Sequence, residues 1–437
     1  MASTEYERAK HDSSNAFYRT LNNLRRRRKR IELGLINSIP LPFNRFRKWY
    51  PGLEKSKYII LTASQKVGKS KLADKICVYD PFFYAVENPD KLRVKILCFT
   101  LEVAEEDKIV EFYCHLLWYL DKIRISPTQL KSTDSEDVVP EEILDLLETE
   151  RYKKYITKFK DTVTYIDDVK NPTGINKYCV AYALDNGTMH MKQEYRRSKF
   201  ENTNSNEKPE MVLTDVPDYY EPNDPEEYRI IILDNYSNLY NEQGFNKMQT
   251  IEKMSKYCID LRDRYKYTIV AVQHQAQSQE GIENIKMDRT RPTADGLADC
   301  KVTSRDVNLL LGLYSPYKYG KREYEGYNVE RFKNHIRFLE ILEDRDNGGS
   351  GMICPLYFDG AVSEFEELPL PDDNYELSKY YNLLNKIEQN VVFFKERRET
   401  LFFMWSRKRK NIKNIIKSIK NNICKWIKRK KPKPRKY

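Results

Sequence analysis

The most restrictive stretch of the chain is Tyr58-Ile59-Ile60-Leu61-Thr62-Ala63-Ser64-Gln65-Lys66-Val67-Gly68-Lys69-Ser70. An apolar run ends in a small polar loop, the loop closes on Gly68-Lys69-Ser70, and a helix-compatible segment, Lys71 to Ile76, follows. A strand that delivers such a loop into a helix brings backbone amides and the positive helix end to one point, which is what holding phosphate requires. Lys69 would reach the outer phosphates, and Ser70 would offer its hydroxyl to Mg²⁺. Ala63 stands where the pattern ordinarily has glycine, and alanine still permits a tight loop. The expected cradle is therefore Ala63, Ser64, Gln65, Lys66, Val67, Gly68, Lys69, Ser70 and Lys71. An eight-residue pattern also arises by chance in long chains, so the rest of the sequence has to decide.

The 437 residues leave room for two or three domains, and 40% hydrophobic residues suffice for a substantial core. No apolar segment follows Met1, and no run approaches the ~18 apolar residues of a membrane span, so a cytoplasmic protein is expected. Eight cysteines, Cys77, Cys98, Cys114, Cys179, Cys258, Cys300, Cys354 and Cys424, are scattered without a C-x-x-C pair and read as buried thiols. The five histidines are equally dispersed, so a metal should arrive with the nucleotide. Net charge is +11, yet fifteen Lys and Arg and no acid lie between Arg407 and Tyr437, which leaves −4 on the other 406 residues. Basicity is thus a property of the tail.

From Trp49 onward strands and helices alternate, which argues for an α/β domain with a mainly parallel sheet. Val94 to Glu102 is a strand ending in a carboxylate, followed by a helix from Ala104 to Leu120, a loop at Ser126-Pro127-Thr128 and an acidic helix around Glu141 to Glu150. Val163 to Asp168 is another strand and Gly174 to Leu184 a helix. Residues 185–227 lack clear periodicity and read as a surface insertion with a short hairpin near Asp185-Asn186-Gly187. Tyr228-Arg229-Ile230-Ile231-Ile232-Leu233-Asp234 has the strongest buried-strand character, with its carboxylate at the end where ligands bind in such sheets. A helix from Met248 to Tyr265 then leads to the strand Thr268 to Gln275, a polar segment 276–291, the strand Val307 to Tyr314, and a hairpin from Arg337 to Ile353 with a last strand at Cys354 to Phe358.

In this order the segments resemble the ATPase domain of DnaB-type, RecA-fold replicative helicases, the hexameric superfamily-four motors, particularly the reduced versions encoded by tailed phages. Five patches carry the likeness: Ala63 to Ser70, Phe99-Thr100-Leu101-Glu102-Val103, Tyr165-Ile166-Asp167-Asp168, Ile232-Leu233-Asp234-Asn235-Tyr236, and Asp346-Asn347-Gly348-Gly349-Ser350-Gly351. The resemblance implies a RecA-like P-loop NTPase that uses ATP and Mg²⁺, with Glu102 as the base orienting the attacking water and Ser70 and Asp234 at the metal. It implies a γ-phosphate sensor among Gln273-His274-Gln275, with Gln273 favoured. It also implies single-stranded DNA, further copies of the chain in a hexameric ring, and a primase or loader as partners. Two patches depart from the family. Its basic pair before Asn-Gly is here Asp344-Arg345-Asp346, so Arg345 is the remaining candidate for a finger reaching the neighbouring subunit's nucleotide. Its DNA-gripping Asp-Leu-Arg-Glu-Ser-Gly stretch is here Gly296 to Lys301, which leaves Lys286, Arg289, Arg291 and Lys301 as candidate DNA contacts.

The expected division is an N-terminal arm or linker helix over residues 1–45, the ATPase domain over 46–370, and a helical region with a basic tail over 371–437. The arm, with Arg25 to Arg30 and a helix ending near Gly34, could pack on a neighbour, touch nucleic acid or be a solvated helix. In the tail Ile412, Ile415, Ile416, Ile419, Ile423, Trp426 and Ile427 fall on one helix face opposite lysines. Such a helix could bind nucleic acid, an anionic membrane surface or a partner's groove, or dock on its own domain. The function expected is an ATP-dependent hexameric DNA helicase or translocase in replication. The alternatives are a RecA-type recombinase and a nucleotide-binding nucleoprotein without motor activity.

Overall fold

A computed structural model describes residues 17–18, 20–135, 137–197, 211–346 and 348–388; the basic tail and Asn347 lie outside the described residues. The chain divides into two compact units, Met1–Leu368 and Pro369–Tyr437, and the described part of the second contains one helix, Asn374–Glu388.

The first unit is built on a nine-stranded sheet. Its strands are β1 (Tyr58–Ala63), β2 (Arg93–Thr100), β3 (Val163–Ile166), β4 (Glu227–Asp234), β5 (Thr268–His274), β6 (Leu309–Tyr314), β7 (Ile336–Asp344), β8 (Ile353–Asp359) and β9 (Glu364–Glu367). They lie in the order β9-β8-β7-β6-β1-β5-β4-β2-β3. The six strands from β6 to β3 are parallel, and β7, β8 and β9 add on antiparallel. Every residue of β1 and all but the first of β4 are buried, as strands covered on both faces require.

Alternation along these strands assigns their side chains to two layers. On one face Ile60, Phe99, Leu233, Ala271 and Leu310 pack with helix α4 (Pro172–Asp185) through Ile175, Cys179 and Ala183. The same core takes in helix α5 (Lys247–Tyr265) through Ile251, Met254, Cys258 and Leu261. The opposite layer holds α1 (Lys69–Asp74, running on through a wide turn into Asp80–Glu87), α2 (Glu105–Asp121) and α3 (Glu150–Thr162). There Phe112 stacks on Phe159 at 3.6 Å, and Phe82 meets Phe159 edge-on at 5.0 Å. Such pairs add about 1 kcal/mol each beyond the area they bury.

Ahead of the sheet, residues 20–32 form a helix that ends at Gly34 with φ +74°. Arg26 and Arg30 bind Glu226, and Arg27 binds Glu54, so this helix belongs to the first unit.

Several expectations need correcting. Residues 185–227 form not a short hairpin near Gly187 but a long ribbon, Gly187–Arg197 paired with Met211–Pro222. Beyond its base, where Val216 and Tyr220 are buried, the ribbon meets solvent, and charged residues interrupt the apolar alternation that marks a half-buried strand. Ser126-Pro127-Thr128 opens a one-turn helix, Pro127–Leu130, closed by a capping box between Ser126 and Gln129. The edge strand β9 and most of α3 are not signalled by the sequence.

Candidate nucleotide site

β1, β2, β4 and β5 end side by side, and their carboxyl ends open on a cleft of about 910 Å³. The loop after β1 runs from Ser64 to Gly68, with Lys66 at φ +61° and Gly68 at φ +105°. At Gly68 a Cβ would be strained, and it would meet the Phe358 ring at 3.1 Å. Gly68 is also the N-cap of α1 and provides no side-chain cap, so the first amides of that helix have no side-chain acceptor from it.

Around this loop the strand ends converge. Ser70 Oγ donates to Asp234 Oδ1 at 3.0 Å. Glu102, exposed to the cleft just beyond β2, accepts from Asn235 Nδ2 at 2.6 Å. Register makes this possible, because Thr100 pairs with Asp234 across β2 and β4. Behind Asp234 the buried Lys108 ammonium lies 3.8 Å from its Oδ2 and 2.8 Å from Asp74 Oδ2.

Lys69 is 6% exposed and makes no salt bridge among the described residues. Burial pulls its pKa down to about 8, against the opposing pull of Asp234 and Glu102. His274 borders the cleft with a buried Nδ1 that has no partner. Burial, helped by Lys69, lowers its pKa to about 4, so the ring is neutral at physiological pH. Among the described residues no three His, Cys, Asp or Glu side chains converge as a metal cage. A buried lysine without a salt bridge, a hydroxyl–carboxylate pair and an orphaned imidazole fit a nucleoside triphosphate that brings its own Mg²⁺. Ser70 and Asp234 would hold that metal.

Other expected residues sit elsewhere. Gln273, favoured as sensor, is fully buried with its amide committed: Nε2 donates to Ala298 O and Cys300 O, at 2.8 and 2.9 Å, and Oε1 accepts from Thr303 Oγ1 at 2.8 Å. It does not line the cleft, whereas the next residue, His274, does. Arg345 lies exposed beyond β7, beside the start of β6, at the opposite end of the parallel strands from the phosphate loop. It cannot reach its own cleft.

Lys286 and Arg289 are exposed in and just after a short helix, Ile282–Lys286, that follows β5, and Lys301 is exposed on the next loop. Arg291 is tied to Glu340 at 2.8 Å, with its guanidinium 5.8 Å from the centre of the Tyr324 ring, so it has a structural partner.

The structure adds three residues to the site: Asn235, which holds Glu102; Lys108; and Arg337, whose buried guanidinium borders the cleft. Asn235 was legible as the residue following a strand-ending Asp. Lys108 and Arg337 carried no local signal.

Comparison with solved structures identifies the fold. The chain is similar to the ATPase domain of G40P, with a TM-score of 0.55 and 14% identity over 80% of this chain and 98% of that one. It is also similar to a DnaB-like replicative helicase described with its primase interactions, with a TM-score of 0.53 and 12% identity over 77% of this chain. This second match covers 64% of the helicase, less than two thirds of its length. The architecture is therefore the RecA-like α/β fold of DnaB-type helicase ATPase domains. No protein-family model and no curated protein matches the chain in sequence.

Proposed function

We propose that this chain is an ATP-hydrolysing DNA motor, a helicase or translocase of the DnaB type acting in replication as a ring of identical subunits. The observation that carries the reading is the convergence of Lys69, the Ser70–Asp234 pair and the Asn235-held Glu102 on one cleft. Bound Mg-ATP would supply the scissile phosphoanhydride and the cation that neutralises its charge. The chain's own residues would do the remainder: Lys69 and the loop amides hold the phosphates, and Glu102 takes a proton from the attacking water. Neutral His274 replaces Gln273 as the group facing the outer phosphate. Single-stranded DNA would lie against Lys286, Arg289 and Lys301, and a primase or loader would dock on the ring.

From its end of the sheet Arg345 could act only on a neighbour's nucleotide, so a role for it requires assembly. It is flanked by Asp344 and Asp346, which favours a second reading, a nucleotide-binding nucleoprotein that turns over slowly or not at all. Strand displacement with Mg-ATP separates the two. A motor unwinds a forked duplex, and Glu102→Gln lowers hydrolysis by ~10²- to 10⁴-fold while nucleotide binding persists. Absence of both hydrolysis and unwinding in the wild type would favour the nucleoprotein.

A further inference from the structure

Besides Lys69, the cleft wall holds a second buried cation with no acidic partner among the described residues. Arg337, the second residue of β7, is 1% exposed. Its Nε donates to Val67 O at 2.6 Å, its Nη1 to Asn334 O and Ile336 O at 2.9 and 2.8 Å, and its Nη2 to Asn334 Oδ1 at 2.9 Å. All four acceptors are neutral. The guanidinium carbon lies 4.5 Å from the centre of the Phe358 ring, and that ring packs against Gly68. Burial alone pulls this arginine down to about 9, a direction in which arginine seldom moves.

Two other deeply buried cations of this layer are compensated within the chain, whereas Lys69, like Arg337, makes no salt bridge among the described residues. Lys75 is paired with Asp80 and Glu364, and Lys108 with Asp74 and Glu111. A buried charge without a counter-ion is costly, and an apolar side chain of similar length would cover Phe358 without that cost. Among the described residues no acid balances the charge at 337, and the cleft it borders is where an anion would enter.

We propose that Arg337 is a binding residue for the polyphosphate of a nucleoside di- or triphosphate. It fixes the Val67 carbonyl on the far side of the loop and adds a second fixed positive charge to that of Lys69. The inference rests on the reading of the cleft as a nucleotide site. It assigns to Arg337 a preference for polyphosphate over monophosphate, since its field acts on the total charge bound.

The test is titration of ATP, ADP and AMP by calorimetry into the full-length protein and its Arg337→Met, Arg337→Gln, Arg337→Lys and Lys69→Ala variants, with thermal melting of each ligand-free form. The expected result is that Arg337→Met and Arg337→Gln weaken ATP and ADP by about tenfold or more and AMP by much less, with Arg337→Lys intermediate. Ligand-free melting reads the four lost hydrogen bonds and the removed charge together; a purely structural arginine would weaken ATP, ADP and AMP alike, so the selective loss of ATP and ADP is the outcome it would not give. If Arg337→Met does not fold, the glutamine variant carries the test, since it keeps donors without charge. Wild-type ADP affinity in a folded Arg337→Gln protein, while Lys69→Ala loses it, overturns the role of Arg337 alone. Failure of the wild type to bind any nucleotide overturns the site reading and this inference with it.

Discussion

Lys69 sets the pH response of the cleft. Its pKa, about 8 in the ligand-free protein, lies below the ordinary 10.5 because burial outweighs the nearby carboxylates. A bound polyphosphate favours the ammonium and raises the pKa again, so binding takes up a proton once Lys69 has begun to deprotonate. Nucleotide affinity is then full below about pH 7 and falls as pH rises past about 8, by up to about tenfold per unit. Isothermal titration across that range checks this, and Lys69→Met should be weak and flat. Without nucleotide the sign is opposite: the native protein binds fewer protons at this site than the unfolded chain, so stability rises between pH 8 and 10.5. At the end of β5, neighbouring residues should fail differently. Gln273→Ala removes three buried hydrogen bonds and should cost ~2 kcal/mol or more in urea unfolding, whereas His274→Ala should spare stability and lower turnover. The sequence pattern could not separate them, because a shift of one residue exchanges the two faces of a strand.

At the level of elements, the segment after β5 is tied to the phosphate loop. Lys318 Nζ donates to Gln65 O at 2.9 Å and pairs with Glu280, while Tyr319 OH donates to Ser64 Oγ at 2.8 Å. Glu280 lies in the same segment as the exposed Lys286 and Arg289, so a strand bound there and a nucleotide bound at the loop would share one bridge. Glu280→Ala should lower the DNA-stimulated part of hydrolysis more than the unstimulated rate, read in an ATPase assay with and without single-stranded DNA. Equal loss of both would show that the bridge only stabilises the loop. The ribbon within residues 187–222 is a separate case. It is anchored at its base by Tyr220, whose hydroxyl donates to Ala183 O at 2.7 Å and accepts from Arg229 at 2.5 Å. That anchor is tertiary, which is why periodicity within the insertion did not reveal it.

For the whole molecule the decisive residue is Arg345, which the fold places at the end of the sheet away from its own cleft. If it serves a neighbour, Arg345→Ala and Lys69→Met should each be inactive alone, the former by up to ~10³-fold. Mixing the two should restore hydrolysis, because the Lys69→Met subunits lend their Arg345 to intact clefts. No recovery on mixing would remove Arg345 from the mechanism. The order of strand, loop and helix around Gly68, the buried runs of β1, β4 and β5, and the acids just beyond β2 and at the end of β4 were determined by sequence alone. Each depends only on local period and turn chemistry. Which strands are neighbours was decided by packing between segments far apart in the chain. Asn235 meets Glu102 across 133 residues, Arg337 meets Val67 across 270, and Arg345 is carried to the opposite end of the sheet. Contacts at such separations leave no periodic trace, because they are selected by loop closure and core packing rather than by the conformational preference of any one stretch.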